Sequence, residues 1–154
     1  MSIHPFQPAS PLAADGAALA YVLECAAAQR DDVIRVVGPA GPAAMLWLVK
    51  NGFDEAVYAR AVGADSRAEP ADVLLIPHAC SGREAAALLG EAPPVREGGA
   101  LIIQAAAESR TDGADSLPSW LRSAGLAIEQ TLTSKGRVVI IARRQELGGF
   151  RQAA

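Results

Sequence analysis

Between Asp31 and Gly52 the chain reads DDVIRVVGPAGPAAMLWLVKNG, and no other stretch restricts the fold as much. The apolar run Val33-Ile34-Arg35-Val36-Val37 breaks into Gly38-Pro39-Ala40-Gly41-Pro42, and a helix-like run from Ala43 to Lys50 follows. β-Branched side chains are stiff at χ1 and suit a pleated strand, whereas glycine and proline punctuate it. Strand, glycine turn and helix form the opening unit of a doubly wound α/β fold. In such folds ligands gather beyond the carboxyl ends of the strands. The stretch therefore predicts a fold class and the place where a site would lie.

The flanking sequence supplies the remaining layers. Residues 1–12 carry three prolines and little periodicity, and read as an extended arm. Asp15 offers an N-cap to a helix from Gly16 to Gln29, whose Leu19, Val22, Leu23 and Ala26 share one face. Strand one is Val33 to Val37. The helix Ala43 to Lys50 presents Met45, Leu46, Leu48 and Val49, with Trp47 read as core, and ends at the C-cap signal Asn51-Gly52. Strand two spans Glu55 to Val62, and Gly63 to Pro70 is a polar link too short for a crossover helix. Strand three, Ala71 to Pro77, is continuously apolar, as a strand covered on both faces should be. Ser81 to Glu84 forms a capping box for a helix ending at Gly90. Pro93 to Gly99 reads as a turn feeding strand four, Ala100 to Ala105. A helix with Pro118 in its first turn then runs to Gly125. Leu126 to Thr133 and Arg137 to Ala142, joined by Ser134-Lys135-Gly136, can pair only antiparallel. One domain over residues 13–144 and a polar tail at 145–154 complete the reading.

Bulk properties exclude several function classes. A formal net charge of −3, with arginines scattered singly, gives no basic face for nucleic acid. The two cysteines, Cys25 and Cys80, have neither disulfide-framework density nor metal-ligand spacing, and read as reduced thiols of a cytoplasmic protein. The N-terminus lacks the charged and apolar regions of a signal peptide, and no apolar run reaches the ~18 residues of a membrane span.

The order of these elements resembles the class I S-adenosylmethionine-dependent methyltransferase fold, over roughly Gly16 to Arg144. The likeness is closest at Val95-Arg96-Glu97-Gly98-Gly99-Ala100-Leu101-Ile102-Ile103, which is similar to the family's leader, Gly-Gly and strand. It continues at Leu121-Arg122-Ser123-Ala124-Gly125-Leu126 and at Val138-Val139-Ile140-Ile141-Ala142-Arg143, which look like its last helix and closing hairpin. The resemblance implies a three-layer Rossmann-like fold, with a mostly parallel sheet and an antiparallel C-terminal hairpin. It also implies a cofactor site at Gly38, Ala40 and Gly41.

The family's cofactor motifs are degenerate here. Arg35 stands where strand one carries an acid, and Val37 and Pro39 occupy two glycine positions, so only Gly41 matches. Proline fixes φ and removes a donor where glycine would allow close approach. At the end of strand two, where an acid would accept bonds from the ribose hydroxyls, stands Arg60. Arginine has no acceptor. The nearest acids are Glu55, at the start of strand two, and Asp65, past its end. The family's third strand and the helix before it are also missing from the pattern.

Two further places carry chemistry-bearing residues. Pro77-His78-Ala79-Cys80-Ser81 follows an apolar strand and opens a capped helix. A helix N-terminus favours a thiolate at Cys80, and His78 is a candidate base; simple packing is the competing reading. Arg35, a cation inside an apolar strand, calls for a partner such as Asp72, or for an anionic ligand. The leading expectation is a methyltransferase-like domain without methyl transfer, a pseudoenzyme working as a binding or regulatory module, as a homodimer or beside a protein partner. The alternative is a small active methyltransferase using S-adenosylmethionine on a small molecule, with Glu55 or Asp65 as the ribose acid. A third reading is a Rossmann-like domain holding another anion or nucleotide at Gly38–Pro42, with Arg35 or Arg60 as counter-charge.

Overall fold

The computed structural model describes residues 16–38, 40–59, 70–78, 82–91, 95–106, 117–134 and 137–145. The helices are α1 (Gly16–Cys25), α2 (Gly41–Lys50), α3 (Gly82–Glu91) and α4 (Leu117–Ser123). The strands are β1 (Ile34–Val37), β2 (Ala56–Ala59), β3 (Ala71–Ile76), β4 (Val95–Ala106), β5 (Leu126–Ser134) and β6 (Arg137–Arg144). They form one sheet in the order β2-β1-β3-β4-β6-β5. The first four are parallel, and β6 runs antiparallel between β4 and β5. Among the described residues β2 is the outermost strand on its side. None of the described helices is long and apolar enough to cross a membrane.

Alternation within each strand explains why the strands are apolar almost throughout. Ile34, Val36, Val73, Leu75, Ile102, Val139 and Ile141 face α1 and α2, where they meet Leu19, Val22, Leu23, Ala44 and Leu48. Val37, Leu74, Ile76, Leu101, Ile103, Val138 and Ile140 face the other way, against Ala85, Leu117 and Leu121 of α3 and α4. Helices cover both faces of the central strands, so both residue parities there are mostly apolar, with Gln104 of β4 a buried polar exception.

Several boundaries differ from the sequence reading, each for a local reason. Helix α1 stops at Cys25 because Ala27 takes a left-handed φ of 59°. Helix α2 begins earlier, at Gly41, with Pro42 in its first turn, where a missing N–H costs nothing. It ends as expected: Gly52, at φ +88°, follows the C-cap Asn51, and the Phe53 amide donates to Leu48 O. Leu46 and Val49 are 60% and 54% exposed, so they stand outside the apolar face assigned to them. Trp47 is half-buried and stacks on Phe53, with ring centroids 6.2 Å apart. Strand β2 starts at Ala56, and its expected continuation from residue 60 lies outside the described residues, as do the proposed caps Asp15 and Ser81. Helix α3 runs through Gly90 to Glu91.

The largest difference is β4, which begins at Val95 rather than at Ala100. Ala71 pairs with Val95, but Val73 already pairs with Ala100, so residues 96–99 bulge out of the ladder. Gly98 has φ +80°, and a Cβ on Gly99 would lie 2.8 Å from both the Arg96 and the Asp72 carbonyl oxygens. The glycine pair marks irregular backbone inside a strand, not a turn before it.

The amino edge of the sheet is clamped by charge. Asp72 accepts from the Val33 amide at 2.8 Å and pairs with Arg96 at 2.9 Å, so it is not the partner of Arg35. Arg143 donates to Gly98 O at 2.8 Å and to Ala26 O at 2.9 Å, and pairs with Glu129 at 3.1 Å. One side chain thus ties the β4 bulge and the end of α1 to β6.

Candidate functional site

The carboxyl ends of β1, β2 and β3 meet at the turn between β1 and α2. Gly38 leaves β1 with φ +104°, a conformation that L side chains rarely adopt, and its carbonyl accepts the Gly41 amide at 3.0 Å. Ala40 is the N-cap of α2 and makes no side-chain capping bond. Gly38, Ala40 and Gly41 therefore lie together where the resemblance puts a cofactor.

The chain's own Tyr58 crosses that turn. Tyr58 is the penultimate residue of β2 and pairs in register with Val36. Its hydroxyl donates to Gly38 O at 3.1 Å. A Cβ on Gly41 would lie 2.1 Å from its Cε1 and 2.5 Å from its Cδ1. The close approach that glycine permits at position 41 is used by this ring. The Tyr58 ring and hydroxyl thus lie directly against the turn.

The proposed ribose acids do not join this turn. Glu55 precedes β2, and its backbone carbonyl accepts the Ile34 amide at the amino end of the sheet. The length of β2 puts it roughly 13 Å from the turn, at about 3.3 Å per strand residue. Asp65, Arg60 and Pro39 lie outside the described residues. Arg35 is half-buried in mid-strand, between Val57 of β2 and Leu74 of β3.

His78 does reach the site, while Cys80 lies outside the described residues, so no Cys–His geometry is given. The His78 carbonyl stands 3.6 Å from the Cβ position of Gly38, beside the turn. Its ring Nδ1 lies 3.1 Å from Nη1 of Arg137, the first residue of β6. A guanidinium only donates, so in this contact Nδ1 is the acceptor. Among the described residues no three His, Cys, Asp or Glu side chains gather as a metal site.

Tyr58 and Arg137 are the residues that sequence reasoning missed. For Arg137 a signal existed: the antiparallel hairpin returns β6 beside β4, and register places Arg137 opposite Ala106, at the carboxyl edge. For Tyr58 the only signal was its parity within a moderately alternating strand.

Comparison with known proteins places the architecture. No family model matches the chain, and no curated protein matches it. Solved structures do. The ribosomal protein L11 methylase of Lactobacillus delbrueckii subsp. bulgaricus superposes with a TM-score of 0.60 at 12% identity, over 88% of this chain and 77% of that one. The Methanococcus jannaschii fibrillarin pre-rRNA processing protein gives 0.51 at 15% identity, over 76% and 68%. An O-methyltransferase family 2 protein from Planctomyces limnophilus gives 0.50 at 20%, over 84% of this chain and 47% of its own. At such identities the likeness is one of fold. The chain has the class I S-adenosylmethionine methyltransferase-like Rossmann fold: a six-stranded mixed sheet, mostly parallel, with antiparallel C-terminal strands.

Proposed function

We propose that this methyltransferase-fold protein does not transfer methyl groups and works as a binding or regulatory module, as a homodimer or with a protein partner. One observation carries the reading: Tyr58 lies across Gly41 and bonds the Gly38 carbonyl, using the approach a cofactor would need. The sequence departures at Arg35, Val37 and Pro39 point the same way, because each replaces a group through which the family holds its cofactor. The exposed Leu46 and Val49, one helical turn apart on α2, are where a second copy or a partner would first be sought.

The test is calorimetric titration of the whole protein with S-adenosylmethionine and with S-adenosylhomocysteine, repeated on Tyr58→Ala. No heat from either protein at millimolar ligand is the expected outcome. Saturable binding by the wild-type protein refutes the reading. A second reading has its own support, since Gly38 keeps a positive φ and α2 keeps an uncapped N-terminus at the turn. It holds that the cofactor site survives beneath Tyr58, in a small methyltransferase acting on a small molecule. Binding gained only by Tyr58→Ala would favour it.

A further inference from the structure

Helix α2 is apolar on its outward side as well as on its inward one. Gly41, Ala44 and Leu48 are buried, while the exposed positions between 42 and 49 are Pro42, Ala43, Leu46 and Val49. Lys50, at the end, is the helix's only polar side chain. A helix without a polar face is ordinarily covered all round. The chain enters the fold beside this face. Gly16, the first residue of α1, lies so near α2 that a Cβ on it would stand 2.6 Å from Nε1 of Trp47, the neighbour of Leu46. Residues 1–15 lie outside the described residues, and their sequence has a period that is neither that of an α-helix nor that of a strand. Pro5, Pro8 and Pro11 recur at every third position; Ile3, Phe6, Ala9 and Leu12 form a second column, and His4, Gln7 and Ser10 a third. Three residues per turn is the period of polyproline II, in which these columns become a proline edge, an apolar edge and a polar edge. No Asp, Glu, Lys or Arg occurs before Asp15.

We infer that residues 3–12 form an amphipathic polyproline II strap that lies on the outward face of α2 in the same chain, with Leu12 against Leu46 and Val49. Reach permits it: at about 3.1 Å per residue, Leu12 stays within roughly 12 Å of Gly16. Polyproline II segments dock on aromatic and apolar surfaces, and their preformed conformation leaves less entropy to lose. Tethering favours the chain's own arm over a second copy, because a short linker holds it at an effective concentration on the order of millimolar. The link from β2 to β3 is a poorer occupant of an uncharged face, since it carries Arg60, Asp65, Arg67 and Glu69. The strap covers the surface that a binding module would offer at α2, so a partner there must displace it. Ordering the arm offsets most of the gain from burial, so the strap exchanges readily and adds little to the melting temperature. It uses neither Tyr58 nor the turn, and stands whether or not S-adenosylmethionine binds.

The experiment is nuclear magnetic resonance of the full chain with labelled leucine and valine methyl groups. Through-space contacts from the Leu12 methyls to those of Leu46 and Val49 are expected. Leu12→Asp should abolish them and shift both α2 signals, whereas Ser10→Asp, on the polar edge, should leave contacts and shifts in place. Leu46→Glu should release the arm from the other side and move the Leu12 signals to those of an exposed leucine. Lack of any contact between Leu12 and α2 overturns the inference. So do equal shifts of Leu46 and Val49 in Leu12→Asp and Ser10→Asp. A mixture of differently labelled chains in which the contacts run between chains also overturns it, and assigns the face to a second copy.

Discussion

Replacing Gly41 by alanine sets two effects of opposite sign against each other. Gly41 is the first residue of α2, and a helical glycine changed to alanine ordinarily gains up to about 1 kcal/mol. Here the new Cβ would stand 2.1 Å from Tyr58 Cε1, about 1.5 Å short of ordinary van der Waals contact, so the ring must swing away. Swinging it breaks the bond to Gly38 O, a loss of roughly 1 kcal/mol, and overpacking typically adds 1–3 kcal/mol. The balance is a net loss of about 1–3 kcal/mol, or roughly 2–12 °C in melting temperature for a chain of this size. In a Tyr58→Ala background the obstacle is gone, and the same alanine should stabilise by up to about 1 kcal/mol. The coupling between the two positions is then about 2–4 kcal/mol, read by urea denaturation of all four proteins of the cycle. If Gly41→Ala stabilises the wild type as much as it stabilises Tyr58→Ala, the ring does not occupy the turn.

Gly99→Ala would bring a methyl group to 2.8 Å from two backbone oxygens that cannot rotate aside, so a loss of about 3 kcal/mol or failure to fold is expected by thermal melting. Arg143→Ala removes donors to Gly98 O and Ala26 O as well as the pair with Glu129, and should lower stability by about 2–3 kcal/mol. Glu129→Ala, at a largely exposed pair, should cost under about 1 kcal/mol, and equal losses from the two variants would contradict the clamp. Gly52→Ala forces a φ of +88° on an L residue whose Cβ also meets Arg30 at 3.1 Å, so it should cost about 1–2 kcal/mol in urea. Leu46→Glu should leave the melting temperature of a monomer unchanged; where a homodimer forms through α2, sedimentation should show its dissociation.

The layers were legible because they rest on parity and period. Leu19, Val22, Leu23 and Ala26 turned out buried on one face, and the continuous apolar runs of β1 and β3 proved to be covered on both sides. Turn chemistry was legible as well: Gly52 and Gly125 take the positive φ that ends their helices. What failed was the location of irregular backbone. Residues 96–99 carry the composition of a turn, but a bulge shares that composition, because both need glycine where a Cβ would meet backbone. Only the pairing of Ala71 with Val95 separates the two, and that pairing is non-local.

The candidate site was legible by the same measure, and no further. A glycine after β1 announces that something comes close, and the natural occupant of that approach in this fold is a ligand. The sequence cannot say that the occupant is Tyr58, twenty residues away, because its position follows from the parallel register of β2 on β1. Arg35 illustrates the reverse problem. Its charge suggested a pair with Asp72, yet that carboxylate lies at the amino edge and is held by Arg96 and the Val33 amide. Charge alone names partners by sign, and in a parallel sheet the edge decides which are within reach. Sorting by edge separates the clamp, Asp72, Arg96, Glu129 and Arg143, from the site, Gly38, Gly41, Tyr58, His78 and Arg137. The first set carries its counter-charges with it.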